Sequence, residues 1–545
     1  MNDLAGALEA WRGIVGPEHV LTDTATLSAA GSATFATANR VRAVIRPGNR
    51  EEVRSCVRAA NEHRAPIYPV STGKNWGYGS RVPPADGSVL MELRRLDRIT
   101  DYDEKLAYVT VEPGVTFRQL RGFLQGEGSN LMLSVTGSTP DSSPVGNALE
   151  RGAGSGPYAD RAAHVCGLEV VLPTGEVVRT GFGRFGGAKT AKLHRWGVGP
   201  HLDGLFAQSN LGIVTEMTMW LAPMPDYFQS CFFGLDDEAR LPDLVDALQT
   251  LKLRGLFRAG LTVRNDFNVL VRMQQYPWGA LDGATPMPPG LLERMRRGFW
   301  RDAWWGSLWI GWAELHHASR GQGLAERKII EEALGDKVDR LAFIDAEGAT
   351  FSRWEGGDTE AAAGYFGRED GSSLGVPGDE NIRSAYWRKK TPVPEDMDPD
   401  RDRCGVIFCV PAVPFEGRHV RVALDIVSDA LAKHGFEPIL IVGAISERVV
   451  YLNVDITYDR DVAGEDGRAL KCHDEMLGRL IGAGYVPYRL GIQSFGLLPE
   501  PHDDTGGLLN ALKRTFDPNN ILAPGRYGLG AEGSRGGQAR GREQG

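Results

Sequence analysis

Residues 69–80 hold the densest group of positions in this chain that could bind a ligand. Their order is Pro-Val-Ser-Thr-Gly-Lys-Asn-Trp-Gly-Tyr-Gly-Ser, and the glycines allow tight bends that expose several N–H groups in one small volume. Such a nest binds phosphate or pyrophosphate. The segment lacks the signatures of a P-loop and of a dinucleotide-binding helix, so a plain glycine-rich turn is the alternative. The residues expected to contribute are Ser71, Thr72, Gly73, Lys74, Asn75, Gly77 and Gly79.

The length and composition limit the class of protein that could carry this loop. A chain of 545 residues is too long for one hydrophobic core, which predicts two or three domains. Apolar residues make up 42% and charged residues 24%, which is typical of a soluble globular protein. The net charge of −9 argues against nucleic acid or an anionic membrane as the main partner.

Targeting patterns and cysteine usage point to a reducing compartment. The N-terminus lacks the basic and apolar regions of a signal peptide, and no apolar run approaches the roughly 18 residues of a membrane-spanning helix. The six cysteines are scattered, and the closest pair, Cys404 and Cys409, is too isolated for a structural zinc site. We therefore expect buried thiols, no metal and a cytoplasmic location.

Apolar periodicity predicts alternating helices and strands before residue 225. The expected elements are a helix at 51–63, strands at 65–70, 88–93 and 107–113, a helix at 116–125, and a hairpin at 167–180. Residues 133–157 are rich in Gly, Ser and Pro. We expect them to form a long loop that crosses a site, because long ordered loops in compact domains are usually functional.

A Pro-Met-Pro break at 223–225 separates this part from a stretch with a different sequence pattern. Its helices with polar faces and its strands, one of them expected over 262–272, indicate an antiparallel sheet covered by helices. The last segment, 486–527, is again rich in Gly and Pro like the first part. The sequence therefore predicts an α+β fold with a discontinuous first domain at 1–225 and 486–527, an inserted second domain at 226–485, and a disordered tail at 528–545.

Five segments resemble, in order and spacing, the vanillyl-alcohol oxidase / p-cresol methylhydroxylase flavoproteins: residues 69–80, 146–152, 166–181, 196–213 and 517–525. The likeness covers essentially the whole chain and is weaker through 226–400. It implies a two-part FAD-binding domain of that type with an inserted cap domain, FAD as cofactor, and oxidation of para-substituted phenols at the benzylic carbon. Beyond the glycine-rich loop, the FAD contacts it implies are Gly137, Ser138, Gly146, Asn147, Glu150, Gly152, Gly212, Ile213, Tyr386 and Arg526.

The resemblance also implies a phenolate-binding group of two tyrosines and an arginine, matched here by Tyr78, Tyr488 and Arg489. A free phenol has a pKa near 10, so ionising it at working pH needs about 3 pKa units, or ~4 kcal/mol, of preferential stabilisation of the anion. A buried guanidinium that keeps its charge, together with two phenolic donors, supplies stabilisation of that order. Taken singly, Tyr78 reads equally well as a packed loop aromatic, and the Tyr-Arg pair as a surface dipeptide.

In members of this family the phenolate weakens the benzylic C–H bond, a hydride passes to flavin N5, and a p-quinone methide forms. Water addition or loss of a second proton then gives an alcohol, a carbonyl or an alkene. Some members place an aspartate beside the flavin, and Asp141 lies in the corresponding loop. Strict counting from Gly146 puts Ser138 at that position instead, and a loop-capping role is the alternative for Asp141.

Some family members attach FAD covalently. The strand expected at 404–411 contains no histidine, so a histidine link is not expected. Tyr386, in a Tyr-Trp-Arg sequence, is an alternative attachment site, but it lies one position away from the linking tyrosine of the family. Packing within the cap and a non-covalent FAD therefore remain open.

The resemblance implies a small phenolic substrate, either O2 or a cytochrome c as electron acceptor, and a homodimer. Two other functions fit the sequence: a flavin oxidoreductase of a non-phenolic alcohol or sugar, and a redox-inactive protein that binds phenols. The group of Tyr78, Tyr488 and Arg489 favours a phenol over a sugar. A tryptophan-rich run in the cap is expected to be mainly core, with part of it facing the substrate; its members are Trp300, Trp304, Trp305, Trp309 and Trp312.

Overall fold

The computed structural model describes residues 3–281, 285–297, 307–354 and 370–531. Within these ranges the α-helices are α1 (Leu4–Val15), α2 (Thr24–Ala30), α3 (Arg50–Glu62), α4 (Phe117–Gly126), α5 (Pro144–Leu149), α6 (Leu241–Leu253), α7 (Asp266–Met273), α8 (Pro289–Arg297), α9 (Arg320–Leu334), α10 (Asp370–Ser373), α11 (Gly417–Lys433), α12 (Glu465–Gly482) and α13 (Thr505–Phe516). Residues 532–545 of the predicted tail, and Trp300, Trp304 and Trp305, lie outside the described ranges.

The β-strands in the same ranges are β1 (Val20–Leu21), β2 (Val44–Ile45), β3 (Ile67–Val70), β4 (Val89–Glu92), β5 (Ile99–Asp103), β6 (Tyr108–Val111), β7 (Leu131–Met132), β8 (Val165–Val171), β9 (Val177–Arg179), β10 (Ile213–Trp220), β11 (Ala222–Pro223), β12 (Tyr227–Leu235), β13 (Leu261–Asn265), β14 (Trp309–His317), β15 (Arg340–Asp345), β16 (Gly348–Trp354), β17 (Cys404–Cys409), β18 (Ala412–Pro414), β19 (Ile439–Ala444) and β20 (Val449–Asp459).

The strands before residue 221 form two sheets, apart from β7, which pairs with β11 in a separate two-stranded sheet. The first has the order β1-β2-β4-β3, with β3 and β4 parallel, and the second has the order β5-β6-β10-β8-β9. Helix α3 packs on the first sheet through Val53, Cys56 and Val57, which recur at helical spacing and are fully buried. The predicted helix at 51–63, the strand at 65–70 and the hairpin at 167–180 are thereby confirmed to within a few residues.

The inserted region forms one antiparallel sheet in the order β16-β15-β12-β14-β13-β19-β20-β17, with β18 paired to β20. Helices α6 and α11 lay their apolar faces on this sheet, because residues such as Leu248 and Val427 share one core with Phe233, Phe343 and Ile456 of the strands. An antiparallel sheet covered by helices, beside the two smaller sheets, confirms the predicted α+β fold. The domain boundaries near 225 and 485 stay a prediction.

One predicted element is wrong in a way that matters for the site. The strand expected over 262–272 ends at Asn265, and α7 begins at once. The Asn265 side chain caps the helix by accepting a hydrogen bond from the Asn268 backbone N–H at 3.1 Å. The apolar residues in this run belong to a two-turn helix that is buried at six consecutive positions, 266–271.

The C-terminal segment contains a buried ion pair whose lysine also reaches the turn before β10. Lys513 Nζ donates to Asp517 Oδ2 at 2.6 Å and to the carbonyl oxygens of Asn210 and Leu522. The Asp517 carboxylate also accepts the backbone N–H groups of Ile521 and Leu522 at 2.9 Å. The turn-rich sequence after α13 is thus held rigidly beside the first sheet. None of the described helices has the length and apolar character needed to span a membrane.

Candidate active site

A cavity of about 1190 Å³ lies where the N-terminal loops, the nine-stranded sheet and the C-terminal segment meet. This volume exceeds the roughly 300–1,000 Å³ of a typical pocket for one small molecule. The sequence-predicted residues in its lining are Ser71, Thr72, Gly73, Lys74, Asn75, Tyr78, Gly137, Ser138, Gly146, Asn147, Glu150, Gly212, Ile213, Tyr488, Arg489 and Arg526. The cavity therefore has room for a large cofactor and a smaller second molecule.

The loop after β3 offers a row of backbone donors to this cavity. In the part of the chain that the structure describes, the backbone N–H groups of residues 71–76 donate no hydrogen bond to another protein group. Gly73 has φ +74°, a left-handed conformation that residues with a side chain adopt only under strain. Unsatisfied N–H groups in such a turn bind an anion, and a diphosphate is the anion that fits a row of this length.

Lys74 and Asn75 tie this loop to other parts of the cavity. Lys74 Nζ donates to Asp398 Oδ2 at 2.8 Å, so a carboxylate of the inserted region matches its charge. Asn75 Oδ1 accepts a hydrogen bond from Arg489 Nη2 at 2.5 Å. The donor row and the predicted phenolate-binding group are thus connected by one amide.

Tyr78, Tyr488 and Arg489 come together from distant parts of the sequence. The Arg489 guanidinium lies over the Tyr78 ring, with Cζ 4.2 Å from the ring centre. Backbone hydrogen bonds from Ile492 N to Tyr78 O at 3.0 Å and from Tyr488 N to Val410 O at 3.3 Å hold both tyrosines in place. Among the described residues, neither tyrosine hydroxyl has a hydrogen-bond partner, so both are available to a ligand.

Burial sets the protonation of these groups. It raises the pKa of Tyr78 well above the usual range, although the charge of Arg489 opposes the rise. It also raises the pKa of Tyr488, against the charges of Arg489 and Arg161. Both phenols therefore stay protonated near neutral pH and act as donors.

Arg161 is a second buried cation near this group, and sequence reasoning missed it. Burial, with the neighbouring charge of Arg489, lowers the pKa of Arg161 to about 9, which leaves it charged at pH 7. Its guanidinium donates to Asn147 Oδ1 and to the carbonyl oxygens of Ser134, at 3.0 Å, and Ala153, at 2.7 Å. Arg161 therefore fixes the loop that carries Asn147 and adds positive potential near Tyr488.

Asp455 and Tyr451, both on β20, also line the cavity and were not predicted. Burial raises the pKa of Asp455 to about 7, while the Asn453 side chain and the charge of Arg272 lower it. The charge of Asp455 also raises the pKa of Tyr78, which places the carboxyl within electrostatic range of the phenolate-binding group. Tyr451 lies beside Tyr488, with ring centres 6.3 Å apart. Asp455 is thus a buried acid–base group near the predicted substrate.

Glu150 and Arg526 form an ion pair in the cavity lining. Arg526 also donates from Nη1 to the Tyr68 hydroxyl at 2.8 Å, and Tyr527 donates to Glu150 at 3.2 Å. These contacts join the C-terminal segment to the loop after α5. The two residues predicted from the resemblance are therefore brought together, although they are far apart in sequence.

Asp141 and Tyr386 are not in the lining. The Asp141 side chain is 53% exposed and its carboxylate pairs with Arg118 Nε of α4 at 2.8 Å, which lowers its pKa. The structure therefore leaves it in a surface ion pair, outside the cavity lining. Tyr386 is 1% exposed, and its hydroxyl donates to Asp402 Oδ2 at 2.5 Å. Burial, with this carboxylate, raises the pKa of Tyr386.

Three predicted glycines support the lining from behind. A Cβ at Gly77 would lie 2.3 Å from the Phe408 ring, and one at Gly79 would lie 2.6 Å from Ile492. A Cβ at Gly152 would lie 2.5 Å from Asn147 Oδ1. These positions need glycine because side chains of other elements pack directly on the backbone, so their contribution to a ligand site is indirect.

The inserted region supplies a further group of polar side chains that the sequence did not indicate. Several of them lie on β13 and at the start of α7, within the segment 262–272 that the sequence pattern assigned to a single strand. Trp309 lies in the cap core while Trp312 faces the cavity, so the expected division of the tryptophan run holds for these two. The polar and aromatic members of the lining here are Thr262, Arg264, Asn268, Arg272, Trp312 and Glu314.

These features fit FAD. The free N–H row at 71–76 suits its diphosphate, and the Glu150–Arg526 pair and Asn147 offer polar partners to its remaining groups. Close packing of the two walls requires small residues, since a Cβ at Gly146 would lie 2.4 Å from Ser71 Oγ. Among the described residues, no group of three His, Cys, Asp or Glu side chains could hold a metal ion. The fold and the cavity together indicate a flavin-binding protein whose cavity has room for a second, smaller molecule.

Comparison with known proteins agrees with this assignment. A model of an FAD binding domain matches residues 41–181. The chain is 51% identical over 530 residues to 1'-carboxy-chondrochloren decarboxylase of Chondromyces crocatus, covering 96% of this chain and 97% of that protein. It is 30% identical over 531 residues to the 4-cresol dehydrogenase [hydroxylating] flavoprotein subunit of Pseudomonas putida, covering 96% and 95%. A crystal structure of p-cresol methylhydroxylase with substrate bound superposes with a TM-score of 0.87 at 27% identity, covering 97% of both chains.

The chain therefore belongs to the vanillyl-alcohol oxidase / p-cresol methylhydroxylase family of FAD-dependent oxidoreductases. The resemblance predicted from five sequence segments is confirmed, as is FAD as the cofactor.

Proposed function

We propose that this protein oxidises para-substituted phenols, of the 4-alkylphenol or 4-hydroxybenzyl alcohol type, at the benzylic carbon. The observation that carries the proposal is the part-buried Arg489 guanidinium over Tyr78, with Tyr488 as its chain neighbour. Both tyrosine hydroxyls are without a hydrogen-bond partner among the described residues. A neutral sugar or aliphatic alcohol has no charge for such a cation to stabilise. A phenolate does, and it also fits the flat aromatic surroundings.

The residues of this chain would act on the two ends of the substrate. Arg489, Tyr78 and Tyr488 hold the phenolic oxygen as an anion, which pushes electron density toward the benzylic carbon. FAD, when bound, supplies the two-electron acceptor that takes the benzylic hydride and leaves a p-quinone methide. Asp455 holds or accepts a proton at its carboxyl oxygens, because its pKa of about 7 lets both forms exist near neutral pH. The electron acceptor that completes the cycle is O2 or a cytochrome c.

The phenol requirement is tested by comparing 4-ethylphenol with its O-methyl ether. The holoenzyme is supplied with an artificial electron-accepting dye, so the result does not depend on the natural acceptor. We expect oxidation of 4-ethylphenol and no oxidation of the ether, since the ether cannot form an oxyanion at Arg489. Equal turnover of both compounds, or turnover of only non-phenolic alcohols, would contradict the proposal.

A second candidate is oxidative decarboxylation of a phenol whose side chain bears a carboxylate. The 51% identical relative, named for decarboxylation of a 1'-carboxy compound, favours it. After the benzylic hydride has left, the bond from the next carbon to the carboxylate breaks and its electron pair forms a C=C bond. CO2 leaves, and the quinone methide returns to the phenolate, so no water is added. From 3-(4-hydroxyphenyl)propanoate the products would be 4-vinylphenol and CO2, which chromatography and a CO2 assay detect.

A further inference from the structure

We propose that Thr262, Trp312 and Glu314 form a binding site for a secondary amide in the para side chain of the substrate. The inference rests on the proposed oxidation of a phenol at Arg489 and names a second anchoring point for the same molecule. All three side chains line the cavity from two adjacent strands, β13 and β14. Thr262 lies directly opposite Trp312 in the register of these strands, and Glu314 follows two residues later on β14. Residues placed in this way share one face of a sheet.

Glu314 carries a buried acceptor that the protein leaves unused. Its side chain is 1% exposed, and Oε2 accepts the backbone N–H groups of Gly156 at 2.6 Å and Gly260 at 3.4 Å. The other oxygen, Oε1, has no hydrogen-bond partner among the described residues. The nearby Ser373 lowers the pKa of Glu314, but the Ser373 hydroxyl makes no hydrogen bond within the described ranges. His316 Nε2 is 3.9 Å from Oε2, and burial lowers the pKa of His316 to about 4, so it is neutral.

Trp312 carries a buried donor that is also unused. The residue is 7% exposed, and its Nε1–H has no acceptor in the part of the chain that the structure describes. Its ring packs with Ile310 and Phe267 in an apolar cluster, which fixes the edge that bears Nε1. The Thr262 hydroxyl opposite it is unpaired among the same residues and can either donate or accept. Because unpaired buried polar atoms are costly, a ligand that pairs them gains affinity.

The chemistry of these atoms selects the kind of ligand. Glu314 Oε1 needs a donor and Trp312 Nε1 needs an acceptor, and a secondary amide supplies one N–H and one C=O. A carboxylate at this place would meet the charge of Glu314. An ammonium group would leave the Trp312 N–H without an acceptor, and an alkyl chain would leave both atoms unpaired. A neutral amide is therefore the group that satisfies both.

A row of residues across four strands connects this site with the predicted phenol position. Trp312 pairs with Thr262, Thr262 with Gly443 on β19, and Gly443 with Tyr451 on β20. The Tyr451 side chain lies over Gly443, because a Cβ at that glycine would collide with it, and its ring centre is 6.3 Å from that of Tyr488. Three strand spacings put the ends of the row about 14 Å apart. A phenol held at Tyr488 therefore needs a para side chain of several atoms to reach Trp312.

Binding to the holoenzyme in its chemically reduced state tests the site without turnover. Three probes share the phenol and a para chain of similar length: N-acetyltyramine carries the amide, 2-(4-hydroxyphenyl)ethyl acetate keeps the C=O but lacks the N–H, and 4-pentylphenol lacks both. Burial raises the pKa of Glu314 to about 7, so calorimetry at about pH 8.5 keeps its carboxylate ionised. We expect the amide to bind about tenfold or more tightly than the ester.

Two substitutions separate the acceptor from the donor. In Glu314→Gln the side-chain oxygen can keep the backbone N–H groups while NH2 replaces Oε1, so the amide-to-ester ratio of dissociation constants should approach one. Trp312→Phe removes the N–H and keeps an aromatic ring. It should weaken the amide and the ester alike relative to 4-pentylphenol and leave their ratio unchanged. Glu127→Gln, at an exposed residue after α4, and Trp196→Phe, at an exposed tryptophan, should keep the wild-type values.

The possible results separate the two proposals. If 4-pentylphenol binds but the wild type does not prefer the amide to the ester, or if Glu314→Gln keeps that preference, the amide site is wrong and the phenol site stands. Unchanged affinities in Trp312→Phe would also overturn the site. If none of the three phenols binds, the proposed function fails and the amide site fails with it. Should the variants not fold, the wild type alone decides, and equal affinity for amide and ester would overturn the inference.

Discussion

Arg489 stacks on Tyr78 across more than four hundred residues of sequence, with the guanidinium carbon 4.2 Å from the ring centre. The same guanidinium donates to Asn75, which belongs to the loop of free N–H groups. One arginine therefore touches both the predicted phenol position and the cofactor loop. Arg489 therefore contributes to the proposed phenol site and to the cofactor loop at once.

Replacing Arg489 should abolish most phenol oxidation and leave FAD in place. Loss of the roughly 4 kcal/mol that favours the phenolate corresponds to about a 10³-fold drop in kcat/KM for 4-ethylphenol. Arg489→Lys should recover part of the loss, because lysine keeps the charge but not the planar fork. Steady-state kinetics and the flavin-to-protein absorbance ratio measure both effects. Arg12→Ala, in a surface pair with Glu9, is the matched control, and an Arg489→Ala enzyme as active as this control would refute the phenolate model.

The pH dependence of kcat/KM should follow the ionisation of Asp455. Burial places its pKa near 7, so the carboxylate fraction that accepts a proton rises as the pH increases through about 7. We expect kcat/KM to rise over the same interval and to level off above it. Asp455→Asn should remove that limb and lower the rate by about 10²-fold or more, as for other general bases.

Asp141→Asn provides the comparison for Asp455→Asn. Its carboxylate is paired with Arg118 outside the cavity, and that pairing lowers its pKa, so it has no reason to titrate near 7. We expect the pH limb to persist in this variant. If Asp141→Asn removes the limb and Asp455→Asn does not, the original sequence prediction of Asp141 as the catalytic aspartate would be restored.

FAD should be released by acid. The hydroxyl of Tyr386 is hydrogen-bonded to Asp402, and Tyr386 lies outside the cavity lining. Among the described residues, the lining contains no His or Cys that could link to the flavin. Precipitating the protein with acid should therefore leave the yellow flavin in the supernatant, and Tyr386→Phe should bind as much FAD as the wild type. Flavin that stays with the wild-type pellet and is released from Tyr386→Phe would show a covalent link through this residue.

The buried Lys513–Asp517 pair should contribute strongly to stability. Lys513→Met leaves the Asp517 carboxylate without its cation and should cost about 3–5 kcal/mol, which lowers Tm. Adding Asp517→Asn should recover part of the loss, because the uncompensated charge is removed. Thermal unfolding of both variants measures this difference. If the two residues do not act as a pair, the two losses of stability should add. The double variant would then be less stable than Lys513→Met by the full effect of Asp517→Asn alone.

The parts of the candidate site that the sequence predicted are local in the chain. The glycine-rich loop and the Tyr488-Arg489 dipeptide place several candidate ligand-binding atoms within a few residues, so their pattern is visible without knowledge of the fold. Arg526 was found through its place in the turn-rich C-terminal segment, where the buried Lys513–Asp517 pair holds the backbone. In each case neighbouring residues in sequence are also neighbours in the site.

The parts that the sequence did not reveal depend on the sheet. Asp455 is one of several polar residues that alternate with apolar ones along β20, and only the pairing of β20 with β17 and β19 brings it to the cavity. Arg264 and Arg272 were hidden because an apolar run was assigned to a strand, although the Asn265 cap converts it into α7. Asp141 was predicted to be catalytic from its position in the loop, but its carboxylate pairs with Arg118 of α4 at the surface.

Phenol oxidation is tested most simply by the visible spectrum of the purified protein, recorded without oxygen before and after addition of 4-ethylphenol. We expect the absorption of the oxidised flavin to disappear as the phenol delivers its hydride. Over the same time and at the same phenol concentration, Arg489→Ala should keep its absorption. An oxidised flavin that stays unbleached in the wild-type protein would mean that the Arg489–Tyr78 arrangement serves a ligand other than a para-alkyl phenol.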